Sequence, residues 1–375
     1  MSTVINTNVP ALTSQRALLS TSGQLSTALQ RLTSGLRINS SKDDAAGLAI
    51  AERLTTQVRG YQQAIRNAGD GISVAQTAEG GLDSITTSLQ RIRELAVQAA
   101  NFTNTDSDRA AIQQEVVQMR EEIDRVAGQT AFNGVKLLNG DFQAAVFQVG
   151  ANVGETITVT GVGDSRSNMI GRFFDKTVTF VNGASKVLTV NGGTPVTLNP
   201  NPTTVKGTVD AINGLGISGL LAYVDPANSA NIGLSYNGPG DVSLTGVTTV
   251  VPLTNPDGSL TLQGSVAGDS RYIDTINLTT VAGANKAILA VDSALSSVSG
   301  SRAKLGATMN RFEQTISNLR VTVENQMAAR SRIQDADFAL ETAALTRAQI
   351  LQQSGMAILG QANALPQNVL SLLRS

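Results

Sequence analysis

Cysteine, histidine and tryptophan are all missing from the 375 residues. Without thiols there are no disulfides, no thiolate nucleophile and no Cys-ligated zinc or iron. Without imidazole there is no Ser-His-Asp triad and no His-Glu-x-x-His zinc site. Any enzyme built on this chain would have to work with carboxylates, Lys, Tyr or Ser alone. Aromatic residues make up only 3% of the chain while hydrophobic residues reach 41%. Thick globular cores lean on aromatic side chains for buried area, so an apolar content of mostly Ala, Val, Ile and Leu suits narrow helix–helix seams better. Basic charge is not in excess either: Lys and Arg number 28 against 29 Asp and Glu, so the field that nucleic acid binding needs is lacking. No apolar run approaches the length of a membrane-spanning helix. The opening Met1-Ser2-Thr3-Val4-Ile5-Asn6 lacks the basic-then-apolar layout of a cleavable secretory signal, and the first positive charge is Arg16. The expectation is a protein that stays inside or leaves by a route without such a signal.

What the chain does carry is helical periodicity at both ends. Leu25, Leu29, Leu32 and Leu36 recur at alternating steps of four and three, with Leu18 seven residues before Leu25; this is a heptad seam. Ser40, Ser41, Asp43 and Asp44 then form a capping cluster ahead of the apolar run 45–50. A second seam follows at Ile85, Leu89, Ile92, Ala96 and Ala99. One helix over 43–101 would be roughly 90 Å long, which suits a rod rather than a globule. The sequence breaks at 101–104 and predicts a return helix through Ile112, Val116, Met119, Ile123 and Val126, opened by a capping box of Thr105 and Asp108. Asn133-Gly134 and Asn139-Gly140 read as turns, followed by strand alternation over 145–149. Near the other end, Ala344, Ala348, Leu351, Gly355, Ile358, Ala362 and Leu365 alternate by four and three. Neither terminal stripe can be buried by its own helix, and exposed apolar seams are a liability for a monomer. The two ends are therefore expected to pair with each other and with copies of the same chain. Pro366 reads either as a helix break or as a kink within a continuing helix.

Between these ends lies a stretch of different composition. Residues 173–270 hold 7 of the 9 prolines, and 9 charged residues in 98 positions against 48 in the remaining 277, a shift large enough to mark a boundary. Asn182-Gly183, Asn191-Gly192 and Asn237-Gly238 punctuate alternating runs such as 176–181, which predicts a β-rich insert with one short helix near 205–212. The fold class read from these patterns is mainly α with β. It comprises a long coiled-coil rod formed by both termini, a small β-hairpin, and a β-rich inserted outer domain.

Several stretches resemble bacterial flagellin closely. They are RLTSGLRINSSKDDAAGLAIAERL (31–54), LQRIRELAVQAAN (89–101), QTAFNGVKLLNG (129–140), SRIQDADFA (331–339), RAQILQQSG (347–355) and QANALPQNVLSLLRS (361–375). The insert matches no particular member of that family, although 205–238 weakly resembles a small insert of flagellins and hook-associated proteins. The resemblance implies a non-enzymatic filament subunit secreted to the bacterial flagellum, with no cofactor. It implies a terminal coiled-coil inner core (1–42 plus 333–375), a helical outer core with a β-hairpin (43–172 plus 271–332) and a variable surface domain (173–270). The polymerisation seams would be Leu18, Leu25, Leu29, Leu32 and Leu36 with Leu351, Ile358 and Leu365. The implied partners are copies of the chain, a flagellar export chaperone, the type III export apparatus, hook-associated and cap proteins, and host Toll-like receptor 5; nucleic acid and membranes are not among them. The alternative with similar ends is a hook–filament junction protein.

Two clusters are candidates for more than packing. Asn104, Asp106, Asp108 and Glu115 imitate calcium-loop spacing, yet Arg109 stands where the sharp turn needs Gly, and a helix cap accounts for the acids. Arg91 and Leu95 lie with Ser84, Ser88 and Gln98 on a stripe separate from the Ile85–Ala99 seam, which makes Leu95 an apolar residue on a polar face. The family resemblance implies receptor binding and protofilament contact at Gln90, Arg91, Leu95 and, on the return helix, Glu115; the plainer reading is a solvated charged face.

Overall fold

The computed structural model describes residues 7–372 except 161, 181, 183–184, 191–194, 199–201, 227, 238–241, 245–246, 250–259 and 263–269. The elements run in the order α1 (Val9–Ser34), α2 (Ala45–Ala100), α3 (Asp106–Gln129), β1 (Ala131–Phe132), β2 (Val135–Lys136), β3 (Ala144–Gln148), β4 (Thr156–Thr160), β5 (Phe173–Phe180), β6 (Val187–Val190), β7 (Val196–Thr197), α4 (Val205–Gly214), β8 (Leu220–Val224), β9 (Asn231–Tyr236), β10 (Val242–Leu244), β11 (Val247–Thr249), β12 (Leu260–Leu262), β13 (Ser270–Arg271), a 3₁₀ turn at Ile273–Thr275, α5 (Val281–Gln334) and α6 (Phe338–Leu372). The chain divides into two compact units. One is Met1–Arg66, Val149–Glu155 and Thr315–Ser375; the other is Asn67–Gln148 and Thr156–Gln314.

Helix boundaries follow the capping chemistry. Asp44 Oδ1 accepts from Gly47 N at 2.8 Å at the start of α2, and Asp43 Oδ2 accepts from the backbone of Asn39 and Ser40 just before it. The break at 101–104 is a turn, and α3 opens with a reciprocal box: Asp108 N donates to Thr105 Oγ1 while Thr105 N donates to Asp108. Each bond satisfies a backbone donor that the first helical turn leaves unpaired. Asn133 (φ 48°) and Gly134 (φ 82°) close the two-residue β1–β2 hairpin. Both residues need the left-handed region there, which Asn and Gly reach at least cost. α6 runs through Pro366 as a continuous helix.

In the second unit the sequence-predicted seam of α2 is buried throughout: Ile85, Leu89, Ile92, Ala96 and Ala99 are all inaccessible. Ile112, Val116 and Ile123 of α3 are buried as expected, with Met119 and Val126 half-buried. α5 adds a stripe at Ala284, Ala287, Val291, Ala294 and Val298, spaced by three and four. Ion pairs join α2 to both partners, through Arg91 to Glu115 of α3 and through Arg93 to Asp292 of α5.

The insert is β-rich with one short helix, as its composition predicts. β5 is the centre of one antiparallel sheet, flanked by β9 and then β8 on one side and by β11 and β13 on the other; β12, β10, β6 and β7 form a second sheet. α4 covers a core that includes Phe174, Val178, Leu188, Ile212, Ile232 and Leu234. β13 pairs with the first residues of β5, Arg271 against Phe173, so the chain enters and leaves the insert on neighbouring strands. Gly183, Asn191, Gly192 and Gly238, expected in turns, lie outside the described residues.

Candidate functional site

Within the first unit, α1 packs antiparallel along α6. α1 turns Ala11, Ser14, Leu18, Thr21, Leu25, Ala28 and Leu32 away from solvent, every one buried or half-buried and every one spaced by three or four. α6 meets it with Glu341, Leu345, Ala348, Gln352, Gly355, Leu359 and Ala362, in the same alternation. Polar contacts hold both ends of the pair. Asn8 Nδ2 donates to Ala362 O at 2.8 Å, and Arg31 Nη1 meets Glu341 Oε1 at 2.9 Å. Beyond the helices, Leu36 and Asp335 form an antiparallel bridge, with Arg37 N donating to Gln334 O.

The terminal seam read from the sequence is thereby split in two. Leu18, Leu25, Leu32 and Leu36 are half-buried, but Leu29 is exposed. On α6, Ala348, Gly355 and Ala362 face α1, while Leu351 is 48% and Ile358 56% exposed; the side chain of Leu365 lies outside the described residues. Leu29, Leu351 and Ile358, read from the sequence as seam residues, are exposed in the single chain. α6 carries two overlapping heptad frames that share 348, 355 and 362. The chain buries the frame through Leu345 and Leu359, and the frame through Leu351 and Ile358 stays open. Leu340 and Ile350 are exposed beside them. Both frames alternate by four and three and both carry two large aliphatics, Leu345 and Leu359 in one and Leu351 and Ile358 in the other, so neither spacing nor size chose between them.

The second candidate surface lies at the end of α2. Arg91 Nη2 reaches Glu115 Oε1 at 2.7 Å and its Nη1 reaches Glu94 Oε2 at 3.1 Å, all three side chains being substantially solvent-accessible. Glu115, followed by Glu94, raises the guanidinium pKa. Pairs this open add little to stability, because solvent screens them. Gln90 is exposed beside them, in an open cleft with Arg93, Glu94, Val97 and Gln98. Leu95 is elsewhere. It is 2% exposed and belongs to the core, which corrects its reading as an apolar residue on a polar face. A helix packed against two neighbours buries a wider arc than a single coiled-coil stripe, and α2 is flanked by α3 and α5. The structure thus brings Gln90, Arg91 and Glu115 to one surface and withdraws Leu95 from it.

A third cluster has no counterpart in the sequence reading. Lys286 Nζ on α5 donates to Asp175 Oδ2 of β5 at 2.8 Å and to Tyr223 Oη of β8 at 2.6 Å. The Tyr223 and Ser235 hydroxyls both donate to Asp175 Oδ1. Burial, then the Asp175 charge, raises the Tyr223 phenol pKa. Asp175 and Lys286 are 111 positions apart in sequence, and nothing local announces the contact. Of the stretch at 104–115, Asp108 caps α3, Asp106 pairs with Arg109 and Glu115 pairs with Arg91. Among the described residues no group of acids is disposed to hold a metal ion, and no helix is long and apolar enough to cross a membrane.

Residues 5–143 match the bacterial flagellin N-terminal helical region, and residues 288–373 match the bacterial flagellin C-terminal helical region. Over the full length of both chains the protein is 42% identical to flagellin D of Vibrio anguillarum and 42% identical to flagellin D of Vibrio cholerae. Among solved structures it is similar to FliC from Burkholderia pseudomallei, at 27% identity and a TM-score of 0.40, covering 64% of this chain and 99% of that one. The Legionella pneumophila flagellar junction protein FlgL gives 15% identity and a TM-score of 0.42, covering 76% and 99%. Both structural likenesses are weak, and the sequence relatives carry the assignment. With both terminal regions matched in order and an identity of this size from end to end, the chain belongs to the bacterial flagellin family, the structural subunits of the flagellar filament.

Proposed function

We propose that this chain is exported and assembled into a swimming filament through its two terminal helices, without enzymatic activity of its own. The observation that supports this best is the open heptad frame of α6. Leu340, Ile350, Leu351 and Ile358 are exposed on a helix whose other frame is already occupied by α1. A second apolar stripe on a paired helix is what a helical polymer uses to hold its next copy. The three-part organisation belongs to the same reading: 1–42 with 333–375 as inner core, 43–172 with 271–332 as outer core, and 173–270 as a surface domain. So do export through the type III apparatus with a dedicated chaperone, and contact with hook-associated and cap proteins. Removal of residues 351–375 tests it: assembly should be lost while the outer core keeps its helical circular dichroism. Filaments of normal length from the truncated chain would refute it. The full-length match to flagellins favours the filament subunit over a junction protein.

Recognition by host Toll-like receptor 5 is a second reading, supported by Gln90, Arg91 and Glu115 sharing an exposed face. Arg91 supplies a charge-assisted contact there, and Leu95 contributes from beneath by holding α2 in place. Replacing Arg91 by Ala should lower monomer-induced signalling at least tenfold, about 1.4 kcal/mol of binding; unchanged signalling would remove this surface from the account.

A further inference from the structure

Glycine follows asparagine at Asn133, Asn139, Asn182, Asn191, Asn213 and Asn237. A glycine has no Cβ to shield its backbone nitrogen, and that nitrogen can attack the preceding side-chain carbonyl carbon. The new C–N bond closes a five-membered imide and ammonia leaves; water then opens the ring to aspartate or isoaspartate. Three of these pairs lie wholly within the described residues, and the fold treats them differently. Asn139 is held at both ends of its amide: Nδ2 donates to Asp141 Oδ2 at 2.6 Å and Oδ1 accepts from Asp141 N at 3.2 Å. Asn213, inside α4, is clamped in the same way, its Nδ2 donating to Ala222 O and its Oδ1 accepting from Ala222 N, both at 2.8 Å. Asn133 is exposed, and its side chain has no hydrogen-bond partner among the described residues. It is also the non-glycine residue at positive φ there, at 48°. A Cβ added to Gly134 would meet nothing within 4 Å, so the approach to its nitrogen is open.

We propose that Asn133 is a site of spontaneous deamidation, selected by the fold over Asn139 and Asn213. The reaction needs only water and does not depend on the filament reading. Its main consequence falls on the β1–β2 hairpin. Isoaspartate carries the chain through its former side chain and adds one backbone atom, so a two-residue turn no longer fits the Phe132–Val135 pairing. The residues flanking the hairpin pack on bare helix backbone: a Cβ on Gly81 of α2 would lie 2.6 Å from Leu138 Cδ1 and 2.7 Å from Thr130 Oγ1. An aged chain therefore loosens at a point where the loop after α3 is anchored to α2. The test holds full-length monomer at mildly alkaline pH and follows each asparagine by proteolysis and mass spectrometry, the acid being heavier than the amide. Asn133 should convert at least fivefold faster than Asn139 and Asn213. In urea the three rates should converge, because the hydrogen bonds that hold two of them are gone. Asp141→Ala, at an exposed position, should speed conversion at Asn139 and leave Asn133 unchanged. Conversion of Asn133 no faster than the other two would overturn the proposal. So would a preference for Asn133 that persists in urea, since local sequence would then select it, or an unaltered rate at Asn139 in Asp141→Ala.

Discussion

At the scale of single residues, Leu95 and Arg91 separate two effects that sit four positions apart on one helix. Leu95 is buried, so Leu95→Ala should leave a cavity and cost about 2–5 kcal/mol of stability, measured by denaturant unfolding of the monomer. A variant as stable as the parent would mean that the side chain is not in the core. Arg91 is half-exposed in its pairs with Glu115 and Glu94, so Arg91→Ala should leave stability nearly unchanged. Any loss of receptor signalling by that variant is then a surface effect, whereas a combined substitution would confound it with unfolding. Asp108 gives a pH dependence with a definite sign. The Thr105 hydroxyl, then its backbone N–H, lowers the Asp108 carboxyl pKa. A depressed carboxylate stabilises above its unfolded pKa and stops doing so as pH falls through the folded value. The first turn of α3 should therefore loosen only below about pH 4, seen as faster amide exchange at 106–109, and Thr105→Ala should weaken that dependence. Acid-insensitive exchange in the parent would contradict the cap.

At the scale of elements, what was legible in the sequence is what local chemistry decides. The Thr105–Asp108 box, the Asn133-Gly134 hairpin and the Ile85–Ala99 stripe each depend on residues within a few turns of one another, and each is found where the spacing puts it. What was not legible is partner choice. Two frames coexist on α6, and only the packed α1 reveals which one is occupied. Leu95 reads as exposed until α2 is known to have two neighbours. Lys286 and Asp175 meet through the fold alone. The insert follows from its boundaries: because β13 pairs beside the start of β5, a short Gly-Ser linker can replace 173–270 without moving the ends apart. Such a variant should still assemble, checked by pelleting and electron microscopy. Soluble, unassembled monomer would mean that the insert, through contacts such as Asp175–Lys286, supports α5.

At the scale of the whole molecule, the central claim is that one face of α6 is spent inside the chain and the other is kept for copies. The direct test is Leu351→Glu with Ile358→Glu in full-length protein, followed by negative-stain microscopy after salt-induced assembly. Both side chains are about half exposed in the single chain, so circular dichroism should be unchanged. Charges on the stripe that must be buried between copies should nevertheless abolish filaments. That pattern, an intact monomer that does not polymerise, is the predicted result; filaments of ordinary length and yield from the double variant would contradict the account.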